Sequence, residues 1–145
     1  MTQKILQKRK EKRKQKNTPH VAFVESASAE AAHIIDELCG ALDALNIPHA
    51  VIAEHADASD TDIVVFIEDR PAYIREVMQE LCVPVAPQNQ NGRKDYNPLQ
   101  EEGNGFYFKN PSKWEIFAAI VRACETYQFP YDWENLLRAL AKGAK

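Results

Sequence analysis

Two carboxylates and one polar loop are the side chains best suited to chemistry in this sequence. The candidate binding residues are Glu68, Glu76, Asn89, Asn91, Gly92 and Arg93. A carboxylate can accept hydrogen bonds from two hydroxyls, and backbone N–H groups at a glycine turn can bind phosphate oxygens. Side chains and backbone groups of these types are thus able to bind hydroxyls and phosphates. The alternative for the two glutamates is a solvated helix face, since their spacing arises readily in an acidic chain.

The histidines and cysteines do not follow a metal-binding or nucleophilic pattern. No CxxC, HExxH or GxSxG motif occurs, and there is no GxGxxG or Walker-type loop after the first predicted strand. Four histidines stand at no ligand spacing with a cysteine: His20, His33, His49 and His55. We therefore predict no metal and no cofactor, and we expect Cys39, Cys82 and Cys124 to be buried free thiols.

The charges divide the chain into two segments. Residues 1–17 carry eight Lys or Arg and one acid, whereas the remainder carries ten basic and twenty acidic residues. The basic segment has almost no apolar residues to bury, so we predict a disordered or helical tail over residues 1–18. No apolar run approaches the roughly 20 residues that span a bilayer. We expect a cytoplasmic chain without a membrane segment.

Residues 19–145 alternate between strand and helix patterns and are long enough for one domain. Short apolar runs predict strands at 20–25, 49–53, 62–68, 83–87 and 105–108. One helix is predicted to start at Ser26 or Ser28, and the others at Pro71, Ser112 and Asp132. The third of these helices is expected to bury Trp114, Phe117, Ala118, Val121 and Cys124, and the fourth to bury Trp133, Leu136, Leu137 and Leu140.

This alternation predicts an α/β fold: a Rossmann-like parallel sheet of about five strands flanked by helices. In such sheets a ligand binds beyond the carboxyl ends of the strands. That edge is expected to lie near Glu25, Glu68, Pro87 and the loop that follows Pro87.

The order of segments over residues 61–142 resembles the C-terminal domain of bacterial glycogen and starch synthases. These are retaining GT-B glycosyltransferases that use ADP-glucose. Gly103 to Phe106 match the G-x-G-F element of the family, Trp114 with Ala119 to Ala123 match its closing A-I-x-R-A helix, and Trp133 matches the tryptophan after it. The resemblance covers a little over half of the chain and implies a truncated sugar-nucleotide-binding domain.

The resemblance also implies roles and partners. Glu68 and Glu76 have the E-x7-E spacing of many GT-B enzymes, in which the first Glu lies near the donor sugar and the second contacts ribose. It implies ADP-glucose and an α-glucan as ligands. The resemblance does not extend to the acceptor-binding domain of the family, so we expect that a separate polypeptide supplies that domain, or that it was lost with the function, or that it was never needed.

Two features depart from the family pattern. The donor loop reads QNQNG where the family has Thr-Gly-Gly, and residues 21–69 contain no Lys or Arg. The family neutralises the leaving diphosphate with an Arg and a Lys from this part of the domain, because cleavage develops negative charge there. We therefore leave open whether the chain catalyses transfer by itself.

Two other interpretations fit parts of the sequence. The segment GNGFYFKNPSKWEIFAAIVRA also resembles the last strand and helix of a response-regulator receiver, with Lys109 as its lysine, but the third strand ends in Glu68-Asp69 and the first supplies only Glu25 as an acid. A non-catalytic receiver-like or protein-interaction domain is thus the alternative. Binding of nucleic acid by the tail is not expected, because no aromatic residues interleave with its charges and the body is acidic.

Overall fold

The computed structural model describes residues 2–15, 18–89 and 92–143. These residues form five strands and five helices. In chain order the elements are α1 (Thr2–Gln15), β1 (Val21–Val24), α2 (Ala29–Ala44), β2 (His49–Ile52), β3 (Ile63–Val65), α3 (Pro71–Gln79), β4 (Val83–Pro87), β5 (Phe106–Phe108), α4 (Lys113–Tyr127) and α5 (Pro130–Gly143).

The five strands form one parallel sheet in the order β2-β1-β3-β4-β5. Strands β1, β3 and β5 are buried throughout, as expected for short apolar strands with both faces covered. One face packs on α2, α4 and α5, through residues such as Phe23 and Val85. The other packs on α3, through residues such as Val64 and Phe66. The predicted Rossmann-like sheet of five strands with flanking helices is confirmed.

The strand order determines where a ligand crevice opens. From β1 the chain passes through α2 to the outer strand β2, and it then returns to β3 on the other side of β1. Loops that leave β1 and β3 therefore diverge to opposite sides, and open α/β sheets bind ligands at such a point. The β4–β5 connection, residues 88–105, contains no helix in the part that the structure describes.

Helix α1 lies against α5 and the amino ends of β3 and β4. Arg9 donates to Thr61 O at 2.6 Å and to Glu80 O at 3.2 Å, and its guanidinium lies 3.8 Å from Asp62. Leu6 is 8% exposed and Arg9 is 6% exposed. The basic tail is thus a helix, and the expectation that it has almost nothing to bury is wrong. The domain boundary at residues 18–19 stays a prediction.

The inward face of α4 differs from the predicted one. Trp114 is 73% exposed, Ala118 and Val121 are also exposed, and Phe117 and Cys124 are only partly buried. The helix instead buries Ile116, Ala119, Ile120, Ala123 and Tyr127. Both sets recur at helical spacing, and the buried set is the one that faces β4 and β5. The prediction that this helix buries Trp114, Ala118 and Val121 is therefore wrong.

The inward face of α5 follows its prediction. Trp133, Leu136, Leu137 and Leu140 are buried, although the helix starts at Pro130 rather than at Asp132. Trp133 is 2% exposed and meets the Tyr127 ring edge-on, with centroids 4.9 Å apart. Edge-to-face pairs of this kind add to the stability that burial provides. Trp133 is thus a core residue that joins α5 to α4.

The three cysteines are free, and the degree of their burial varies. Cys82 is buried, whereas Cys39 and Cys124 are half-buried. Burial raises the pKa of Cys82 to about 11 and that of Cys124 to about 12, so both thiols stay protonated at neutral pH. Among the described residues, no helix combines the length and apolar character that crossing a bilayer requires.

Candidate functional site

A crevice of about 340 Å³ opens at the carboxyl edge of the sheet. It is bounded by the first turn of α2 and by the ends of β3, β4 and β5, with Ser28, Glu68, Asp69, Pro87 and Lys109 in its lining. Ser28 caps α2 by accepting a hydrogen bond from Ala31 N at 3.3 Å. The positive end of the α2 dipole therefore lies at the crevice. This is the edge at which the sequence places the ligand.

Glu68 lies at the point where the loops after β1 and β3 diverge. Its carboxylate accepts hydrogen bonds from the Ser26 hydroxyl, which follows β1, and from Arg70 at 3.2 Å. Arg70 also lies 3.3 Å from Glu54, in the loop after β2. One guanidinium thus bridges two carboxylates, and the side chain of Glu68 remains 40% exposed. Glu68 is held in place and is open to a ligand on one side.

Asp69 is the centre of a second group that includes two predicted binding residues. Arg93 donates to Asp69 at 2.8 Å and to Pro87 O at 2.8 Å, and Asn89 donates to Asp69 at 3.1 Å. Burial by itself would raise the pKa of Asp69, but the bonds from Arg93 and Asn89 outweigh it, and the pKa lies below its ordinary value. Arg93 therefore links the loop after β3 to the loop after β4, and its positive charge is paired with Asp69.

Gly92 and Arg93 also border a different space, and Asn91 lies outside the described residues. Gly92 has φ of 78°, a left-handed conformation that favours glycine, and its carbonyl accepts a hydrogen bond from Asn104 at 2.9 Å. Both residues line a cavity between α3 and α5 that shares none of its lining with the crevice. The predicted binding loop is thus divided. Asn89 contacts Asp69 at the crevice, whereas Gly92 borders the separate cavity.

Glu76 and Glu68 are not brought together around one ligand-sized space. Glu76 lies on α3, where its carboxylate meets His55 Nδ1 at 2.8 Å. The bond to Glu76 raises the pKa of His55 above its ordinary value of 6.5. His55 Nε2 lies 4.0 Å from Glu54, which contacts Arg70. Among the described residues, the predicted pair is therefore linked only through a chain of ion pairs from Glu76 through His55, Glu54 and Arg70 to Glu68.

Reasoning from the sequence missed Arg70 and Lys109 as charges at this edge. Arg70 directly follows the segment 21–69 in which no Lys or Arg occurs, and Lys109 was considered only for the receiver interpretation. The sequence does carry a signal for both residues, because Arg70 and Lys109 each follow a predicted strand. Within residues 2–15, 18–89 and 92–143, no three His, Cys, Asp or Glu side chains are grouped to hold a metal ion.

No model of a known protein family matches the chain. A segment of 59 residues is 34% identical to glycogen synthase 1 from Synechocystis sp., which corresponds to 38% of this chain and 12% of that protein. The chain therefore spans about an eighth of the length of this relative.

The fold has a solved counterpart. The structure is similar to the catalytic domain of starch synthase IV from Arabidopsis thaliana, which was solved with ADP and acarbose bound. The TM-score is 0.70 at 13% sequence identity, over 97% of this chain and 39% of that one. The fold and the sequence match agree with the resemblance predicted above. The chain is therefore similar in one segment of its sequence to glycogen synthase 1, and its α/β fold is similar to that of the starch synthase IV catalytic domain.

Proposed function

We propose that this chain is a glycosyltransferase domain that binds a sugar nucleotide of the ADP-glucose type at the crevice, in the service of α-glucan synthesis. The observation that carries the proposal is the position of the crevice within a fold that resembles the fold of a starch synthase. The sequence and fold matches point to glycogen and starch synthases. The fold leaves a crevice at the carboxyl edge of the sheet, where α/β folds bind nucleotides.

The chemistry of the crevice suits the two halves of such a ligand. Glu68 can accept hydrogen bonds from sugar hydroxyls, because its carboxylate is fixed by Ser26 and Arg70 and still partly exposed. The first turn of α2 and Lys109 provide N–H groups and a positive charge for phosphate oxygens. Asn89 and Arg93 take part by positioning Asp69, and Glu76 by holding the far end of the ion-pair chain.

The charge of the crevice limits the affinity. Of its described lining residues, three are acidic and one is basic. Each missing charge-assisted hydrogen bond to a diphosphate forfeits about 1.5–3 kcal/mol. We therefore propose a dissociation constant nearer to about 1 mM than to about 1 µM. Donor binding, rather than transfer by this chain alone, is the proposed activity, and a separate polypeptide would present the α-glucan.

The free state of the cysteines indicates the cellular compartment in which the proposed binding takes place. Cys39, Cys82 and Cys124 are all free thiols. Free thiols persist where the cell keeps its proteins reduced. The proposed location is therefore the cytoplasm.

Calorimetry with ADP-glucose and with ADP, both at millimolar concentration, tests this proposal. Glu68→Ala should weaken binding of ADP-glucose more than binding of ADP, because Glu68 is assigned to the sugar. Glu125→Ala removes an equal charge from an exposed position on α4 and serves as the matched control. Absence of binding heat with either nucleotide would refute the proposal and leave the fold similarity alone.

The same protein sample tests the receiver alternative. A receiver accepts a phosphoryl group from acetyl phosphate on an aspartate in the presence of Mg²⁺, and mass spectrometry detects the added group. We expect no phosphorylation. A phosphorylated Asp69 would favour the receiver over the glycosyltransferase.

A further inference from the structure

Another cavity of this domain lies away from the crevice. It has a volume of about 500 Å³ and is bounded by α3, the end of α5 and the β4–β5 connection. Pro71, Met78 and Ala139 provide its accessible apolar surface, with Ile74 and Leu140 almost fully buried behind them, and Arg75 is an exposed residue of its lining. Ligand pockets of proteins are typically of about 300–1,000 Å³ and mostly apolar with a few polar groups. The cavity therefore has the size of a small-molecule site.

The cavity exists because of the way in which β4 is joined to β5. A crossover between parallel strands usually carries a helix that covers the sheet. Here the described part of the connection is an irregular loop, and the space beside α3 stays open. Asn104 holds this loop by donating to Gly92 O at 2.9 Å, while its Oδ1 accepts from Lys94 N at 3.0 Å and from the Tyr107 hydroxyl at 2.8 Å. The rim of the cavity is thus preformed.

The charge of the cavity is opposite to that of its surroundings. Its described lining contains two arginines and no carboxylate, although acidic residues outnumber basic ones two to one after residue 17. Arg93 is matched by Asp69 at 2.8 Å. Arg75 has no hydrogen-bond or ion-pair partner among the described residues. One guanidinium beside an apolar wall is therefore unmatched.

We propose that this cavity binds a small organic phosphate whose apolar or aromatic body packs on the wall of α3 and α5 while its anionic group pairs with Arg75. A guanidinium binds phosphate through two parallel N–H bonds, so it recognises shape as well as charge. Pro71, Met78 and Ala139 would bury the apolar body, which inorganic phosphate lacks. The site does not depend on the nucleotide crevice, because Glu68 and Lys109 are not among its lining residues.

Phenyl phosphate is the probe, and its binding is followed by chemical-shift changes in a two-dimensional amide NMR spectrum. We expect shifts at Ile74, Arg75 and Leu140, with phenol and inorganic phosphate each binding at least about tenfold more weakly. Arg75→Gln should weaken phenyl phosphate about tenfold or more. Arg122→Gln is the matched control, because Arg122 is an exposed arginine that pairs with Asp95 outside the cavity.

A second variant tests the cavity without changing its charge. Ala139→Trp fills the space from α5 and should abolish binding of phenyl phosphate while circular dichroism shows an intact fold. If this variant does not fold, Arg75→Gln decides. Equal affinity of wild type and Arg75→Gln, or shifts confined to Ser28 and Lys109, would overturn the proposal. Glu68→Ala should leave phenyl phosphate binding unchanged, so the two proposed sites succeed or fail separately.

Discussion

Arg93 and Asp69, 24 residues apart in the sequence, form an ion pair at 2.8 Å that ties the loop after β4 to the loop after β3. The side chain of Arg93 is 6% exposed and that of Asp69 is 38% exposed. The pair closes one side of the carboxyl edge. The positive charge of Arg93, which we predicted would bind a phosphate, is paired with Asp69 instead. The main role of the pair is therefore to shape the site.

Arg93→Gln is expected to destabilise the domain by about 1–3 kcal/mol, because it leaves the Asp69 carboxylate with fewer partners and removes a bond to Pro87 O. The partial exposure of Asp69 keeps the figure below that of a fully buried pair. Urea unfolding measures it. Arg138→Gln, which breaks an exposed pair with Glu134, should change stability by less than about 0.5 kcal/mol. Equal effects of the two substitutions would contradict the assigned role of Arg93.

Removal of α1 is expected to lower the melting temperature by more than about 5 °C. Leu6 leaves the core, and the carbonyls of Thr61 and Glu80 lose the bonds from Arg9. Differential scanning calorimetry of a protein lacking residues 1–15 measures the change. Lys4→Gln alters an exposed residue of the same helix and should have no measurable effect. Unchanged melting after the deletion would mean that α1 does not contribute to the fold.

The two tryptophans are expected to respond very differently to truncation. Trp133→Ala should cost about 3–5 kcal/mol, because it leaves a cavity beside Tyr127. Trp114→Ala should cost less than about 0.5 kcal/mol, because the side chain is largely exposed. Chemical denaturation of both variants provides the comparison, and a large loss of stability with Trp114→Ala would show that α4 presents its other face to the sheet.

His55 should make the stability depend on pH. Its hydrogen bond to Glu76 raises its pKa in the folded state above the ordinary value of 6.5. The stabilisation is therefore fully present below pH 6.5 and is lost as the pH rises through the raised folded pKa. Glu76→Gln should lower the pKa of His55, which NMR titration of the imidazole measures. Glu80→Gln, on the same helix end without a bond to His55, should leave that pKa where it is.

The sequence was sufficient to predict the sheet but not the contacts of its edge. Near-continuous apolar runs such as IVV and VPVAP have few alternatives to a buried parallel strand. In α4 two apolar stripes compete, and only the position of the sheet selects the one with Ile116 over the one with Trp114. The pairings of Arg93 with Asp69 and of His55 with Glu76 depend on how loops meet in space. Residue spacing does not encode such meetings.

The docking of α1 has a consequence for how the chain reaches this structure. The carbonyls that Arg9 and Arg13 bind lie 52, 71 and 114 residues further along the sequence. Closing such long loops costs chain entropy before the contacts repay it. We therefore expect the contacts of α1 to form late in folding, because its partners are spread along the sequence as far as Tyr127. In refolding followed by pulsed hydrogen exchange, amides of α1 should gain protection after those of β1 and β3.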